Sequence, residues 1–125
     1  MKVLLADDDR VLTHLISSRL RSKGAEIVVA HDAMQAFMSA IKSQPDVIVL
    51  DVQMPGGTGL EALKKLKQSA KTSQIPVVVL SGSVEAEMTD VVKGLGAIEF
   101  LLKPIDPEAL YKALCAIVAP EERAG

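Results

Sequence analysis

Val47-Ile48-Val49-Leu50-Asp51, followed by the loop sequence VQMPGGTG, is the stretch that decides the fold of this chain. A short, continuous apolar run that ends in a loop is typical of a strand buried on both faces, as in a parallel sheet covered by helices. Asp51 comes where this strand ends. Open α/β sheets place their ligand sites outside the carboxyl ends of their strands. We therefore take Asp51 as the first candidate functional residue.

Four further strand-like runs alternate with helical patterns along the chain. Strands are predicted over residues 2–6, 26–30, 46–50, 75–80 and 97–101. Helices are predicted over 10–23, from Asp32 to about Ser43, from Thr58 to about Ala70, from about Val84 to Lys93, and from Asp106-Pro107 to about Ala119. Gly24 and Gly94 are predicted to end the first and fourth helices. Five β-α units with right-handed crossovers predict an α/β fold with a doubly wound parallel sheet.

Composition limits the possible functions. The chain has 125 residues, which is about one domain, and 49% of them are hydrophobic, well above disordered composition. Fourteen basic against 16 acidic residues, with no basic stripe, argue against nucleic-acid binding. Cys115 is the only cysteine, so neither a disulfide nor a cysteine zinc site can form within the chain. The amino terminus is no signal peptide and no run is long enough to span a membrane, so we expect a cytoplasmic protein.

Charged and hydroxyl side chains follow three other strands. Asp7 and Asp8 follow the first strand, Ser81 ends the fourth, and Lys103 follows the fifth. Three ionised carboxylates at one edge repel one another, and a hard cation such as Mg²⁺ relieves this while also binding phosphate oxygens. One carboxylate can then attack phosphorus, since aspartyl phosphates are a known covalent route. Lys103, Ser81 and a nearby backbone N–H can neutralise the remaining phosphoryl oxygens.

These residues, in this order on this β/α pattern, resemble the response-regulator receiver domain, the CheY-like phosphoacceptor of two-component signalling. The resemblance covers essentially the whole chain. It rests on Asp7-Asp8, Asp51 with Met54-Pro55, Ser81-Gly82, Phe100 and Lys103-Pro104. It implies a flavodoxin-like, doubly wound sheet of five parallel strands in the order 2-1-3-4-5, with five helices. Residues 1–120 would form the domain, and the polar tail 121–125 could begin a linker in a longer protein.

The resemblance also implies a role for each motif. Asp51 would accept the phosphoryl group. Asp8, Asp51 and the backbone carbonyl of Gln53 would bind Mg²⁺, for which Mn²⁺ can substitute, and Asp7 would assist through water. Ser81, Gly82 and Lys103 would bind the phosphoryl group, Phe100 would act as a rotameric switch, and the Lys103-Pro104 peptide bond would be cis. Gln53 and Ser83 would tune hydrolysis of the phosphoryl group.

The implied partner is a sensor histidine kinase or a histidine phosphotransfer protein, docked on the first helix. Ala6, Val11, Leu12 and Leu15 are the residues expected near that docking face. The output would be a changed face formed by the fourth helix, fifth strand and fifth helix, acting on an unknown partner or output domain. The resemblance implies no direct nucleic-acid binding, no membrane contact, and a monomer or weak phosphorylation-dependent dimer. Such a domain catalyses only its own phosphorylation and dephosphorylation.

Two other functions use similar residues. A haloacid-dehalogenase-type phosphatase also has a strand-end aspartate and Mg²⁺, but it carries a second acid two residues later, where this chain has Gln53. A phosphate-independent pseudo-receiver usually lacks an acid, the hydroxyl or the lysine, all of which are present here.

Several residues have a structural reading beside the functional one. Asp9 is a helix cap or a third metal ligand. Thr58, where receivers usually have aspartate, caps the third helix with Glu61 or alters the site. His14 and His31 are surface residues or phosphohistidine candidates.

Overall fold

Five parallel strands form one sheet in the order β2-β1-β3-β4-β5 in the computed structural model of the protein, which describes residues 1–54, 58–82 and 86–118. The strands are β1 (Lys2–Ala6), β2 (Glu26–Ala30), β3 (Val47–Asp51), β4 (Val77–Ser81) and β5 (Glu99–Leu102). The helices in the described residues are α1 (Arg10–Ser22), α2 (Ala33–Ser43), α3 (Thr58–Gln68), α4 (Ala86–Gly94) and α5 (Pro107–Val118). The predicted fold and strand order are confirmed.

The sheet separates two hydrophobic cores, and alternate residues of each strand supply them. In β3, Val47 and Val49 point to the core under α1 and α5, whereas Ile48 and Leu50 point to the core under α2, α3 and α4. Every residue of β3 and β4 is buried. A strand can be apolar throughout only where both faces are covered, which is why these two strands lie in the middle of the sheet.

Helix ends follow the capping residues in most cases. Asp9 accepts a hydrogen bond from the Leu12 N–H at 3.0 Å, and Asp32 accepts one from the Gln35 N–H at 2.8 Å. Gly24, with a φ of 94°, ends α1 as predicted. α4 ends at Gly94, one residue beyond the predicted last residue Lys93, and the left-handed position is Gly96, with a φ of 107°. Glycine adopts that conformation without the Cβ clash of other residues.

Three strands begin later and end later than predicted. β3 ends at Asp51, β4 at Ser81 and β5 at Leu102, one residue beyond each predicted end. Asp51 pairs with Leu80, and Ser81 pairs with Leu102, so both polar residues belong to the ladder itself. At the other end of β4, Pro76 has no N–H to donate to a neighbouring strand.

Burial differs between neighbouring apolar residues of α1. Ile16 and Leu20 are fully buried, whereas Leu15 is 56% exposed. Cys115 is buried in the core. The predicted start of the fourth helix and the tail 121–125 lie outside the described residues, as does the Thr58 side chain with its predicted cap. None of the described helices has the length and apolar character needed to cross a membrane.

Candidate functional site

Strand register brings the predicted charged residues together at the carboxyl edge of the sheet. Ala6 pairs with Leu50, so the residues that follow them, Asp7 and Asp51, lie side by side. Side chains two residues apart share a face of a strand. Asp7, Asp51 and Lys103 therefore point to the face that carries α1 and α5.

Asp7, Asp8 and Asp51 form an acidic cluster, in which one carboxylate oxygen from each lies within 4.8 Å of the others. Asp7 and Asp51 are buried, with 1% and 3% of their surface exposed, and Asp8 is exposed. The cluster thus has two acids inside the cleft and one at its mouth. Asp9 points away as the cap of α1, so its structural reading is confirmed.

Lys103 is the cation that the described residues place inside this cleft. Its ammonium nitrogen lies 2.7 Å from Asp7 Oδ2 and 3.3 Å from Asp51 Oδ2. The nitrogen donates a hydrogen bond to Asp51 and also lies within the distance of a charge-assisted hydrogen bond from Asp7. Burial alone would lower the lysine pKa, but the two carboxylates outweigh it, so the pKa of Lys103 is raised.

Asp51 is held at a raised pKa. Burial, which disfavours the charged form, is the main cause, and the negative charge of Asp7 adds to it. The Gln53 N–H, 2.8 Å from Asp51 Oδ1, and the Lys103 ammonium both favour the carboxylate and partly offset that effect. Lys103 therefore does not fully compensate the negative charge of the buried Asp51 carboxylate.

The donor set of this cleft fits a hard divalent cation. Asp7 Oδ1 accepts a hydrogen bond from the Asp9 N–H at 2.9 Å, while buried Asp7 Oδ2 faces the Lys103 ammonium at 2.7 Å. Three carboxylates against one ammonium leave net negative charge in the cleft. Carboxylate oxygens at this spacing are the ligands that Mg²⁺ and Mn²⁺ accept.

Ser81 and Phe100 lie on the opposite face of the sheet from Lys103. Val77 and Val79, two and four residues before Ser81, pack in the core under α2, α3 and α4, and Phe100 packs against that same core. Ser81 is fully buried. Its carbonyl accepts a hydrogen bond from the Lys103 N–H at 2.7 Å. The Lys103-Pro104 peptide bond is cis.

Two contacts at the site were not foreseen from the sequence. The side-chain oxygen Gln53 Oε1 accepts a hydrogen bond from the Gly82 N–H at 2.9 Å, which links the loop after β3 to the end of β4. His31, predicted to be a surface residue, is partly buried, and its Nδ1 lies 3.1 Å from the Asp7 carbonyl oxygen. Neither side chain belongs to a spacing pattern that could have predicted its partner.

Gly59 fixes the position of α3 beside the site. A Cβ atom at this position would lie 2.6 Å from the carbonyl carbon and oxygen of Val52. The backbone of α3 therefore touches the backbone that directly follows Asp51. Gly59 falls within the helix predicted from Thr58, but no pattern in the sequence predicts this contact.

The comparison with known families agrees with this geometry. The family model described as the response regulator receiver domain matches residues 3–115. The chain belongs to this family. Among its relatives, Protein PilH of Pseudomonas aeruginosa is 32% identical over 120 residues, which cover 94% of this chain and 98% of PilH. The transcriptional regulatory protein CpxR of Escherichia coli is 39% identical over 119 residues, which cover 94% of this chain and 49% of CpxR.

Solved receiver-domain structures have the same fold. The Vibrio cholerae chemotaxis protein CheY4 superimposes with a TM-score of 0.87 at 34% identity, covering 93% of this chain and 97% of CheY4. The receiver domain of the Pseudomonas aeruginosa sensor histidine kinase PA1611, whose structure has a magnesium ion in its active-site cleft, superimposes with a TM-score of 0.85. It is 24% identical and covers 94% of this chain and 97% of its own, a likeness that concerns the fold alone. This receiver domain thus spans nearly all of PilH and about half of CpxR.

Proposed function

We propose that this receiver domain is a signalling switch in which Asp51 accepts a phosphoryl group. The observation that carries the proposal is the position of Asp51: a buried strand-end carboxylate, flanked by two acids and held 3.3 Å from the Lys103 ammonium. A nucleophile with a cation beside it and further acids for a metal is the arrangement that phosphoryl transfer needs. The donor would be a histidine kinase or a histidine phosphotransfer protein.

The transfer exchanges one bond to phosphorus for another. An Asp51 carboxylate oxygen attacks the phosphorus of a phosphohistidine, the P–N bond breaks, and its electron pair stays on the imidazole. The product is an aspartyl phosphate, a mixed anhydride. Asp8, Asp51 and the Gln53 carbonyl would hold Mg²⁺, with Asp7 assisting through water. When bound, this ion supplies positive charge for the phosphoryl oxygens.

Lys103, Ser81 and Gly82 would bind the phosphoryl group once it is attached. The lysine ammonium is already within hydrogen-bond distance of Asp51 and can move to a phosphoryl oxygen. The Ser81 hydroxyl and the Gly82 N–H belong to the end of the neighbouring strand and can serve another oxygen. Charge-assisted hydrogen bonds of this kind are about twice as strong as neutral ones.

The switch would run from Ser81 to Phe100. Ser81 ends β4, and Phe100 lies on the adjacent strand, where it pairs with Val79 on the same face of the sheet. Attraction of Ser81 to the new charge would draw the loop after β4 inward and leave space into which Phe100 rotates. The face formed by α4, β5 and α5 would change with it, as expected for a two-state element biased by one added charge.

The first helix offers a docking face for the phosphodonor. Val11 and Leu15 are 72% and 56% exposed and lie four residues apart on α1, so they form an exposed apolar pair for a partner to cover. Leu12 is only partly exposed, and Ala6 is buried at 1% exposure. Ala6, which was expected near this face, therefore lies beneath the surface, and its exposed neighbours would make the contact.

Intact-mass spectrometry tests the proposed function. The protein is incubated with acetyl phosphate with and without Mg²⁺, beside an Asp51→Asn variant and an Asp90→Asn variant in which an exposed aspartate of α4 is changed. We expect one added phosphoryl group in the wild type and in Asp90→Asn only with Mg²⁺, and none in Asp51→Asn. A folded wild type that gains no phosphoryl group would instead favour a phosphate-independent interaction module.

A further inference from the structure

We infer that the Gln53 side chain is a latch that occupies the phosphoryl-binding N–H of Gly82 in the resting domain and must leave before that N–H can serve a phosphoryl oxygen. This inference rests on the proposed function, because the competing ligand is the phosphoryl group on Asp51. It assigns Gln53 a side-chain role distinct from its backbone carbonyl. Gln53 is thereby a positioning residue of the switch.

The contact that carries the inference joins the two loops of the site. Gln53 Oε1 lies 2.9 Å from the Gly82 nitrogen, a distance at the centre of the range for an N–H···O bond. The backbone N–H of the same Gln53 lies 2.8 Å from Asp51 Oδ1. Gln53 therefore binds the proposed phosphoacceptor, Asp51, through its backbone N–H. Its side chain binds the Gly82 N–H, which is proposed to bind the phosphoryl group.

The contact is weak enough to be exchanged. Gln53 and Gly82 are both exposed, so water competes for the N–H whenever the amide moves away. An amide oxygen is a neutral acceptor, whereas a phosphoryl oxygen is charged and accepts a stronger hydrogen bond. The phosphoryl group should therefore displace Gln53. Until it does, the amide oxygen satisfies the N–H and holds the end of β4 near the loop after β3.

Removal of the acceptor should favour the phosphorylated state. Gln53→Met keeps the length of the side chain and the backbone carbonyl but has no amide oxygen. If the hydrogen bond between Gln53 and Gly82 must break before a phosphoryl group binds, the variant avoids the free-energy cost of breaking it. Binding of a phosphoryl mimic should tighten roughly two- to tenfold, the range that corresponds to one net neutral hydrogen bond. Gln68→Met, the same substitution at an exposed glutamine at the end of α3, is the control and should leave binding unchanged.

Two measurements on these proteins test the inference. The first is hydrogen exchange of the Gly82 amide, followed by NMR in metal-free buffer. The Gly82 N–H should exchange slowly in the wild type and in Gln68→Met, and faster in Gln53→Met. Equal exchange in all three proteins would show that the resting contact does not protect this N–H and would overturn the inference.

The second measurement is titration with fluoroberyllate, a phosphoryl mimic, in the presence of Mg²⁺. Tighter binding by Gln53→Met than by the wild type and Gln68→Met supports the latch. Equal affinities in all three proteins would overturn the latch and leave the proposed function standing. No binding by any of them, in proteins whose circular dichroism shows an intact fold, would overturn the proposed function and the latch with it.

Discussion

Asp51 carries its negative charge in a place that disfavours it. The residue is 3% exposed and Asp7 is close by, and together these raise its pKa despite the Gln53 N–H and Lys103. An acid whose pKa is raised by folding destabilises the native state while it is ionised. That cost is complete above the folded-state pKa and disappears below the ordinary aspartate value, so stability falls as the pH rises through this window.

Asp51→Asn should therefore stabilise the metal-free protein at neutral pH. The asparagine keeps the shape of the side chain and removes the buried charge and its repulsion with Asp7. We expect the free energy of unfolding at pH 7 to rise by about 1 kcal/mol, with a smaller gain at pH 4, because the raised pKa of the wild-type carboxyl leaves less of it charged there. Urea unfolding in a chelating buffer at both pH values measures this. A variant less stable than the wild type at pH 7 would mean that the pairing with Lys103 outweighs the cost of burial.

Lys103→Met should have the opposite effect. Without its ammonium, the buried carboxylates of Asp7 and Asp51 face each other with no cation between them. We expect a loss of about 2 kcal/mol of stability at neutral pH, since the removal of one partner leaves buried charge uncompensated. Lys64→Met, at an exposed site on α3, is the matched control and should cost little. In the Lys103→Met background, Asp51→Asn should recover most of the loss, and a failure to do so would contradict the electrostatic account.

At this scale the sequence predicted which charged residues meet, because strand ends of a parallel sheet share one edge. Asp7, Asp8, Asp51 and Lys103 come together for that reason. It could not predict the bond from Gly82 to Gln53, or the contact of His31 with the Asp7 carbonyl. Those bonds depend on loop conformations and side-chain rotamers that no periodic pattern encodes.

The position of α3 depends on a backbone contact at the element scale. Gly59→Ala places a methyl group against the Val52 carbonyl, so α3 or the segment after Asp51 must move. We expect a loss of about 1–3 kcal/mol, the usual cost of overpacking, together with weaker fluoroberyllate binding. Thermal and urea unfolding measure the first effect and a titration the second.

Gly94→Ala is the control for this substitution. Gly94 is the last residue of α4 and has open space where its Cβ would be, so alanine should change the stability by less than about 1 kcal/mol. Equal effects of the two substitutions would show that the contact with Val52 does not constrain α3.

The ends of the helices could be predicted where the sequence offers one clear capping residue or one clear terminating glycine. Asp9, Asp32 and Gly24 begin or end helices as the sequence indicates. Near the end of α4 two glycines compete, and the one that adopts the left-handed conformation is Gly96, followed by a bond from the Ala97 N–H to the Val92 carbonyl. The sequence therefore predicted the end of α4 at Gly94 but not which of the two glycines adopts the left-handed conformation.

At the scale of the whole molecule, the sheet separates Asp51, the proposed phosphoacceptor, from Phe100, the proposed switch residue. Asp51 and Lys103 lie on the face of the sheet under α1 and α5, whereas Ser81 and Phe100 lie on the face under α2, α3 and α4. In the proposed switch, a signal from Asp51 therefore crosses the sheet, and we propose that it does so at the end of β4. The order of strands was predictable from the resemblance, but this division of roles between faces required the register.

Amide chemical shifts on phosphorylation should follow that route. With acetyl phosphate and Mg²⁺, we expect the largest changes at the loop after β4, at Phe100 and Leu102, and along α4 and α5. Residues of β2 and α2 should change little. Changes confined to the residues that touch Asp51 would contradict a switch that passes through Phe100.

The most direct test of the central claim is to locate the phosphoryl group. Borohydride reduces an aspartyl phosphate to homoserine, which tandem mass spectrometry then places in the sequence. After incubation with acetyl phosphate and Mg²⁺, we expect homoserine at position 51 and unmodified aspartate at Asp7 and Asp8. Homoserine at Asp7 or Asp8 would contradict the assignment of Asp51 as the phosphoacceptor. The absence of homoserine at all three positions would contradict it as well.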